Sequence, residues 1–454
     1  MTETSKRRVT IVMETSKQAT ETYEVTEEER AKWAMQLQWK WVEASIWTEA
    51  MLTALDNGVK GGKWFSLIDK VYRESTLGVA WQKVRANKGA AGIDGITIAK
   101  FEGKKDKYLI ELEHELRAGT YQPLAVKRMY IPKGQGKMRP LGLPSVKDKI
   151  AQQAVKMVIE PIFENEFLDM SYGFRPQRGA QMAIAEVGRL IKEGYTWVLD
   201  ADLQNYFDAI PHEKLLAKVE QKISDGRVNK LLRMWLEQEI MEECKSWVPT
   251  GGAAQGAVIS PLLANIYLHD LDVTITSAGF KMLRYADDFV ILTRSQQEAE
   301  EALSLVQAWV DEHQLALHPE KTHIGNCMEK GQGFDFLGYR FEAGTSWVRL
   351  KSIQKFRDRI RGLTKRTCGK SIQKVIAEVN PVLRGWYGYF KNVTKYTLGT
   401  FDSFVRRRLR AIIQRQNKKR SFGAGWCNLK IPNKFFASMG LFNMEESQRS
   451  YVAR

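Results

Sequence analysis

Asp287 and Asp288 stand side by side in the run Lys281-Met-Leu-Arg-Tyr-Ala-Asp-Asp-Phe-Val-Ile-Leu-Thr-Arg294. The apolar residues on either side read as two short strands, with the acidic pair in the turn between them. Two adjacent carboxylates at a hairpin tip repel each other and add nothing to a core unless a cation sits beside them. A divalent metal carrying nucleotide phosphates is the natural candidate. Taken alone, the run also permits an ordinary solvated turn, because aspartate is a common turn residue.

A second acidic run, Val198-Leu-Asp-Ala-Asp-Leu-Gln-Asn-Tyr-Phe-Asp208, adds to the first. Strand alternation puts Val198, Asp200 and Asp202 on one face and Trp197, Leu199, Ala201 and Leu203 on the other. Asp200 and Asp208 read as a solvated strand end and a helix cap, which leaves Asp202 as the ligand from this run. Three carboxylates converging from two segments repel strongly without cations, but can hold two Mg²⁺ ions. Such a pair lowers the pKa of an attacking 3′-hydroxyl and stabilises in-line transfer of a nucleotidyl group.

These residues need elements to position them. Residues 1–25 are polar and are expected to form a mobile leader. A helix is expected from Glu27 to about Leu55, with an acidic first turn and four tryptophans (Trp33, Trp39, Trp41, Trp47) on more than one side. A second helical stretch runs from about Trp64 to Val84, and another covers about 106–118. Val126 to Pro144 reads as strand, glycine loop, strand around Gly134-Gln-Gly136, a hairpin signal whose loop carries Lys133, Lys137 and Arg139. Helices are expected at about 145–165, over most of 212–243, and at 261–278 and 296–314. A strand at 197–203 and a short hairpin at 333–341 complete a mixed antiparallel sheet with helices on one side. From Lys351 onward the pattern is almost wholly helical.

At 454 residues the chain is long enough for two to four domains. No apolar stretch is long enough to span a bilayer, and the first residues lack the apolar core of a secretory signal. Cys244, Cys327, Cys368 and Cys427 are far apart, which suits a reducing cytoplasm better than a disulfide or zinc framework. The charge is uneven. Residues 351–454 hold 24 Lys and Arg against 5 Asp and Glu, a net of +19, which leaves −3 for the first 350 of a chain at +16 overall. Phe401, Phe404, Val405, Leu409, Ile412 and Ile413 recur at helical spacing inside that basic region, so it reads as a folded polyanion-binding module rather than a solubility tail.

The acidic runs Asp202-Leu-Gln-Asn-Tyr-Phe-Asp208 and Tyr285-Ala-Asp-Asp288 together resemble the two metal-binding motifs of reverse transcriptases. Met138-Arg-Pro-Leu-Gly-Leu-Pro144, Ser171-Tyr-Gly-Phe-Arg-Pro176, Gln255-Gly-Ala-Val-Ile-Ser-Pro-Leu-Leu263, Leu317-His-Pro-Glu-Lys-Thr322 and Phe334-Asp-Phe-Leu-Gly-Tyr339 resemble the successive blocks of group II intron-encoded reverse transcriptases. Asn380-Pro-Val-Leu-Arg-Gly-Trp-Tyr-Gly-Tyr-Phe390 resembles the signature of their maturase domain. The resemblance covers roughly residues 50 to 415.

It implies an α+β right-hand polymerase, with fingers and palm on an antiparallel sheet, followed by an all-helical thumb and maturase domain. The expected blocks are the leader at 1–25, an N-terminal helical extension at 26–90, fingers and palm at 91–345, thumb and maturase at 346–420, and a basic tail at 421–454. The implied activity is RNA-directed DNA synthesis with two Mg²⁺ ions, dNTPs, an RNA template and a DNA primer or target. The implied partner is the intron's own RNA, bound to help splicing and mobility. Asp202 and Asp287 would be the metal-binding pair with Asp288 in support. Lys133 and Arg139 would grip the triphosphate, Phe207 would exclude a ribose 2′-hydroxyl, Gln255 would contact the sugar, and Lys321 would lie close to the carboxylates. Arg384, Arg406, Arg407, Arg408 and Arg410 are the expected RNA contacts.

Two departures from the family's pattern stand out. The block at 254–257 reads Ala-Gln-Gly-Ala where Pro-Gln-Gly-Gly is usual, and Ala257 does not take φ > 0 cheaply. The tail beyond 415 has no histidine and one cysteine, so no His-Asn-His endonuclease is expected. Two rival readings keep the same motifs: a polymerase of this fold serving defence or repair, and a non-enzymatic splicing factor on a decayed scaffold.

Overall fold

The computed structural model describes residues 8–14, 20–26, 35–134, 137–243, 245–393, 395–418 and 427–452. Within the stretch expected to be a mobile leader, strands β1 (Arg8–Glu14) and β2 (Thr20–Thr26) pair as an antiparallel hairpin. The acidic turn at Glu27–Glu29 and Trp33 lie outside the described residues. The expected long helix is not continuous. Thr48 leaves the helical region and its hydroxyl accepts the backbone N–H of Met51, starting a new helix, α1 (Glu49–Asn57). Such a capping bond competes with the helix that would otherwise run through it.

Helix α2 (Glu74–Ala86) and the Lys105–Ala118 helix follow, then the hairpin β3 (Val126–Gly134) and β4 (Lys137–Leu143). Ser145 caps α3 (Val146–Glu164), most of whose residues are buried, including the polar Asp148, Lys149, Gln152 and Gln153. Next come α4 (Ala180–Lys192), β5 (Trp197–Asp202) and the single turn α5 (Tyr206–Ala209). A helix at His212–Glu220 precedes α6 (Gly226–Leu236). The end of the stretch 212–243, expected to be mostly helical, instead enters a small hairpin of β6 (Ile240–Glu242) and β7 (Lys245–Trp247). Helix α7 (Ser260–Ser277) leads to β8 (Lys281–Tyr285) and β9 (Asp288–Thr293). After the Gln296–Glu312 helix come β10 (His323–Asn326) and a three-stranded meander, β11 (Phe334–Phe336), β12 (Tyr339–Glu342) and β13 (Thr345–Val348). The rest is helical: α8 (Leu350–Leu363), α9 (Ile372–Phe390), α10 (Lys395–Gln416) and, after two short helices, α11 (Met444–Val452).

There is no single sheet. Strands order as β10-β5-β9-β8 in one four-stranded sheet and β4-β3-β6-β7 in another, with β3 and β6 parallel. Nor do the compact units follow the chain in blocks. One draws on Met1–Gly179, Leu203–Ser277 and Gln307–Leu317; the other on Ala180–Asp202, Ala278–Val306 and His318–Arg454. The β10-β5-β9-β8 sheet therefore belongs with the C-terminal helices.

Single buried side chains fasten distant segments inside each unit. In the first, Asp225 accepts the N–H groups of Leu67 and Ile68 at 2.6 and 2.8 Å with one oxygen, and those of Arg227 and Val228 with the other. One carboxylate thus caps two helix starts. In the second, Asp402 accepts the N–H groups of Met444 and Glu445, and the Asn380 amide bridges Gly440 and Phe442. Phe436 and Met444 are fully buried. The segment expected to be a basic tail is, where described from 427 to 452, helical and packed on α9 and α10.

Candidate active site

Antiparallel pairing of β5 with β9 sets Asp202 directly opposite Asp288, and β8 sets Tyr285 opposite Asp288. Directly opposed residues share a face, with Cβ atoms about 5 Å apart. The hairpin turn has two residues, Ala286 and Asp287. Only Asp287 is therefore a turn residue; Asp288 opens β9, a correction to the expectation that both lie in the turn. Ala286 has φ 60, a left-handed conformation that usually falls to glycine, and the buried Arg284 guanidinium donates to its carbonyl at 3.0 Å. Strained backbone of this kind is common at functional turns.

The segment after His318 delivers Lys321. His318 N–H donates to the Asp202 carbonyl at 2.7 Å, and a tight turn returns the N–H groups of Lys321 and Thr322 to the His318 carbonyl. The Lys321 ammonium then meets Asp202 Oδ2. So Asp202, Asp287, Asp288 and Lys321 share one unit.

Asp200 is neither solvated nor at a strand end. It lies inside β5, between Val290 of β9 and His323 of β10, with a side chain 15% exposed. Burial, then Asp335 and Asp202, push its pKa up to about 7, against the opposing pull of Arg340. Asp288 is pushed up to about 7 as well, by burial and then by Asp200, Asp287 and Asp202, with Arg349 pulling the other way. Arg340 and Arg349 both pair with Asp335, at 3.6 and 3.8 Å. Tyr389, in the stretch Asn380–Phe390, lies within electrostatic reach of Asp288 and donates its hydroxyl to the Leu337 carbonyl. None of this surrounding set was expected, although alternation had put Asp200 on the Asp202 face. Asp208 sits in the first turn of α5, whose N-cap is Asn205.

Oxygen-only donors suit a hard cation such as Mg²⁺, and the two raised carboxylates carry the surplus of negative charge that a cation relieves. Yet among the described residues no three acidic, histidine or cysteine side chains converge closely enough to hold an ion as they stand. Asp202, directly opposite Asp288, is instead engaged by Lys321.

The other expected substrate residues lie in the first unit. Lys133 and Arg139 are on β3 and β4, Arg139 pairing with Ile131 and exposed; the loop residues Gln135 and Gly136 lie outside the described residues. Phe207 is half-buried in α5, its carbonyl accepting from Ala253 at 2.6 Å. Gly252, at φ 91, lies so close that a Cβ would meet Asp208 Cα and the Phe207 carbonyl at 2.8 Å. The Gln255 carbonyl accepts from Gly142 at 2.6 Å. The positive φ in this loop falls on Gly256 (φ 109), so Ala257 is not strained by its departure from the family's pattern.

The arginines divide. Arg384 is exposed over the Phe442 ring, and Arg407 is exposed. Arg406 donates to Ser403. Arg408 closes the end of α8 through the hydroxyl and carbonyl of Thr364. Arg410 is buried, donating to the Ile431 carbonyl and Asn433 Oδ1 and stacking on Phe436. It is a structural residue and not a surface contact, because the 427–452 segment covers that side of α10. Lys419 and Arg420 lie outside the described residues.

Residues 131–341 match the family of reverse transcriptases (RNA-dependent DNA polymerases), and residues 353–430 match the maturase-specific domain of group II introns. The chain is 34% identical over 299 residues to Protein YkfC of Escherichia coli (strain K12), covering 56% of this chain and 77% of that protein. It is 39% identical over 209 residues to Group II intron-encoded protein LtrA of Lactococcus lactis subsp. cremoris, covering 45% of this chain and 34% of LtrA. Thus it spans about a third of LtrA. Among solved structures it is similar to a chain titled partial Cas6-RT-Cas1–Cas2 complex, with 24% identity and a TM-score of 0.36, covering 57% of this chain and 43% of that one. No helix among the described residues is long and apolar enough to cross a membrane.

Proposed function

The chain belongs to the family of group II intron-encoded reverse transcriptases and maturases, and from that premise we propose that it copies RNA into DNA and binds its intron RNA to assist splicing and mobility. One observation carries the polymerase reading: Asp202 and Asp288 oppose each other on adjacent strands, with Asp287 in the turn beside them. Asp202 and Asp287 would hold two Mg²⁺ ions, with Asp288 in support. When bound, these ions would acidify the primer 3′-hydroxyl and offset charge on the transferred phosphoryl group. Lys321 neutralises Asp202 until then and stays beside it as a positioning cation. Lys133 and Arg139 grip the incoming triphosphate, Phe207 excludes a 2′-hydroxyl, and Gln255 contacts the sugar.

Arg384, Arg406 and Arg407 contribute the phosphate grip on intron RNA, and Arg408 does so only with the part of its guanidinium left free by Thr364. Asp287→Ala is expected to abolish primer extension on an RNA template while leaving RNA binding within about twofold. Full extension by this variant would sink the assignment. Splicing of a flanking intron RNA with and without the protein tests the maturase role, and separates it from a polymerase of the same fold serving defence or repair.

A further inference from the structure

The tryptophan-rich stretch near the N-terminus is only partly used by the core. Trp39 donates its indole N–H to Asp56 Oδ1, and Trp47 donates to the Met157 carbonyl and packs edge-on against Trp64. Both are almost fully buried. Trp41 differs. It is half-exposed, and it walls a cavity of about 310 Å³ completed by the last turn of α2 and one face of α3, all within the first unit.

The cavity's polar lining is specific. Gln153 is 9% exposed, and it lines the cavity from α3. Glu160, 12% exposed, meets Lys156 at 3.3 Å one helical turn away. Lys83 and Asn87 reach the rim from the end of α2. An indole face, an amide able to donate and accept, a shielded carboxylate and two ammonium groups thus share a space large enough for one small ligand.

We propose that this cavity binds a purine nucleotide. The flat base lies against Trp41, as bases do on aromatic side chains. Its Watson–Crick edge, which alternates donors and acceptors, meets the Gln153 amide and the Glu160 carboxylate, and the phosphate lies at Lys83. An inorganic anion would leave the indole, amide and carboxylate unused, and an apolar ligand would strand the carboxylate and both ammonium groups. None of these residues belongs to the unit that carries the acidic hairpin, so the site stands whether or not the chain polymerises DNA.

Photolabelling of the full chain with 8-azidoadenosine monophosphate, in EDTA to silence metal-dependent nucleotide binding, tests the site. The label should map to peptides containing Trp41 or Lys83–Asn87. It should be suppressed at least fivefold by AMP or GMP and not by the same concentration of CMP. Trp41→Leu and Gln153→Leu should each lower labelling at least fivefold. Lys83→Met is a surface change that leaves packing intact, and should lower it at least threefold with an unaltered unfolding midpoint. Competition by free AMP assigns the site to soluble nucleotides. Competition only by oligouridylate carrying one internal adenosine assigns it to a base in an RNA strand. Equal competition by CMP, competition by neither adenosine probe, or undiminished labelling of Lys83→Met overturns the proposal.

Discussion

Asp202 faces an ammonium and a second carboxylate at once, so its charge is held between Lys321 and Asp288. Replacing Lys321 with Met removes the neutralising partner. It should lower the maximal rate of primer extension at least tenfold with little change in template affinity, measured under single-turnover conditions. Asp200 and Asp288 supply a pH dependence. Their folded pKa values lie near 7 against 3.8 unperturbed, so between those values the folded chain holds protons that the unfolded chain has lost. Stability is fully present below about pH 4 and is lost as pH rises through 7. In EDTA the unfolding midpoint should fall from roughly pH 5 to 8, and Asp200→Asn should flatten that slope. The contribution from Asp200 is at most on the order of 4 kcal/mol. At this scale the sequence was informative about residue types: adjacent carboxylates and a basic loop advertise their chemistry. It was silent on Asp335 and Arg340, because what brings them to Asp200 is packing between segments over a hundred residues apart.

Turn and strand geometry decides where those side chains point. The hairpin of β8 and β9 was legible because short apolar runs flank the acidic pair, but the register that moves Asp288 out of the turn is set by cross-strand pairing. The 240–247 hairpin was missed because its short strands carry no clear alternation. Gly252 shows the same dependence on close packing. A methyl group there would press on the backbone of Phe207 and Asp208 at φ 91, a conformation alanine resists. Gly252→Ala should therefore displace α5, and with it the ring proposed to exclude a 2′-hydroxyl. The expected result is a rise of at least fivefold in ribonucleotide incorporation relative to deoxyribonucleotide, read from paired kcat/KM values. An unchanged ratio would separate Phe207 from sugar selection.

Across the whole chain, the +19 carried by residues 351–454 dictates how RNA is held. Binding through phosphates releases counterions, so log affinity for structured RNA should fall steeply and linearly with log salt, by roughly a thousandfold or more between 50 and 200 mM if six or more phosphates are contacted. Arg407→Met should reduce that slope by about one. Arg410→Met should leave the slope alone and instead cost about 2 kcal/mol in unfolding free energy, because it strands the Ile431 carbonyl and Asn433. The basic, helical character of this region could be read from composition and periodicity. The inward turn of Arg410 could not, since it depends on a later segment folding back.

The same non-local bookkeeping has a clock attached to it. The helix that starts at Ile68 has its first N–H groups completed by Asp225, 157 residues further on. At translation rates of about 5–20 residues per second, some 8–30 s pass before that carboxylate is even synthesised. Through that interval the emerging N-terminal third waits with an open helix end, and its apolar surface is available to chaperones before it is available to its own chain.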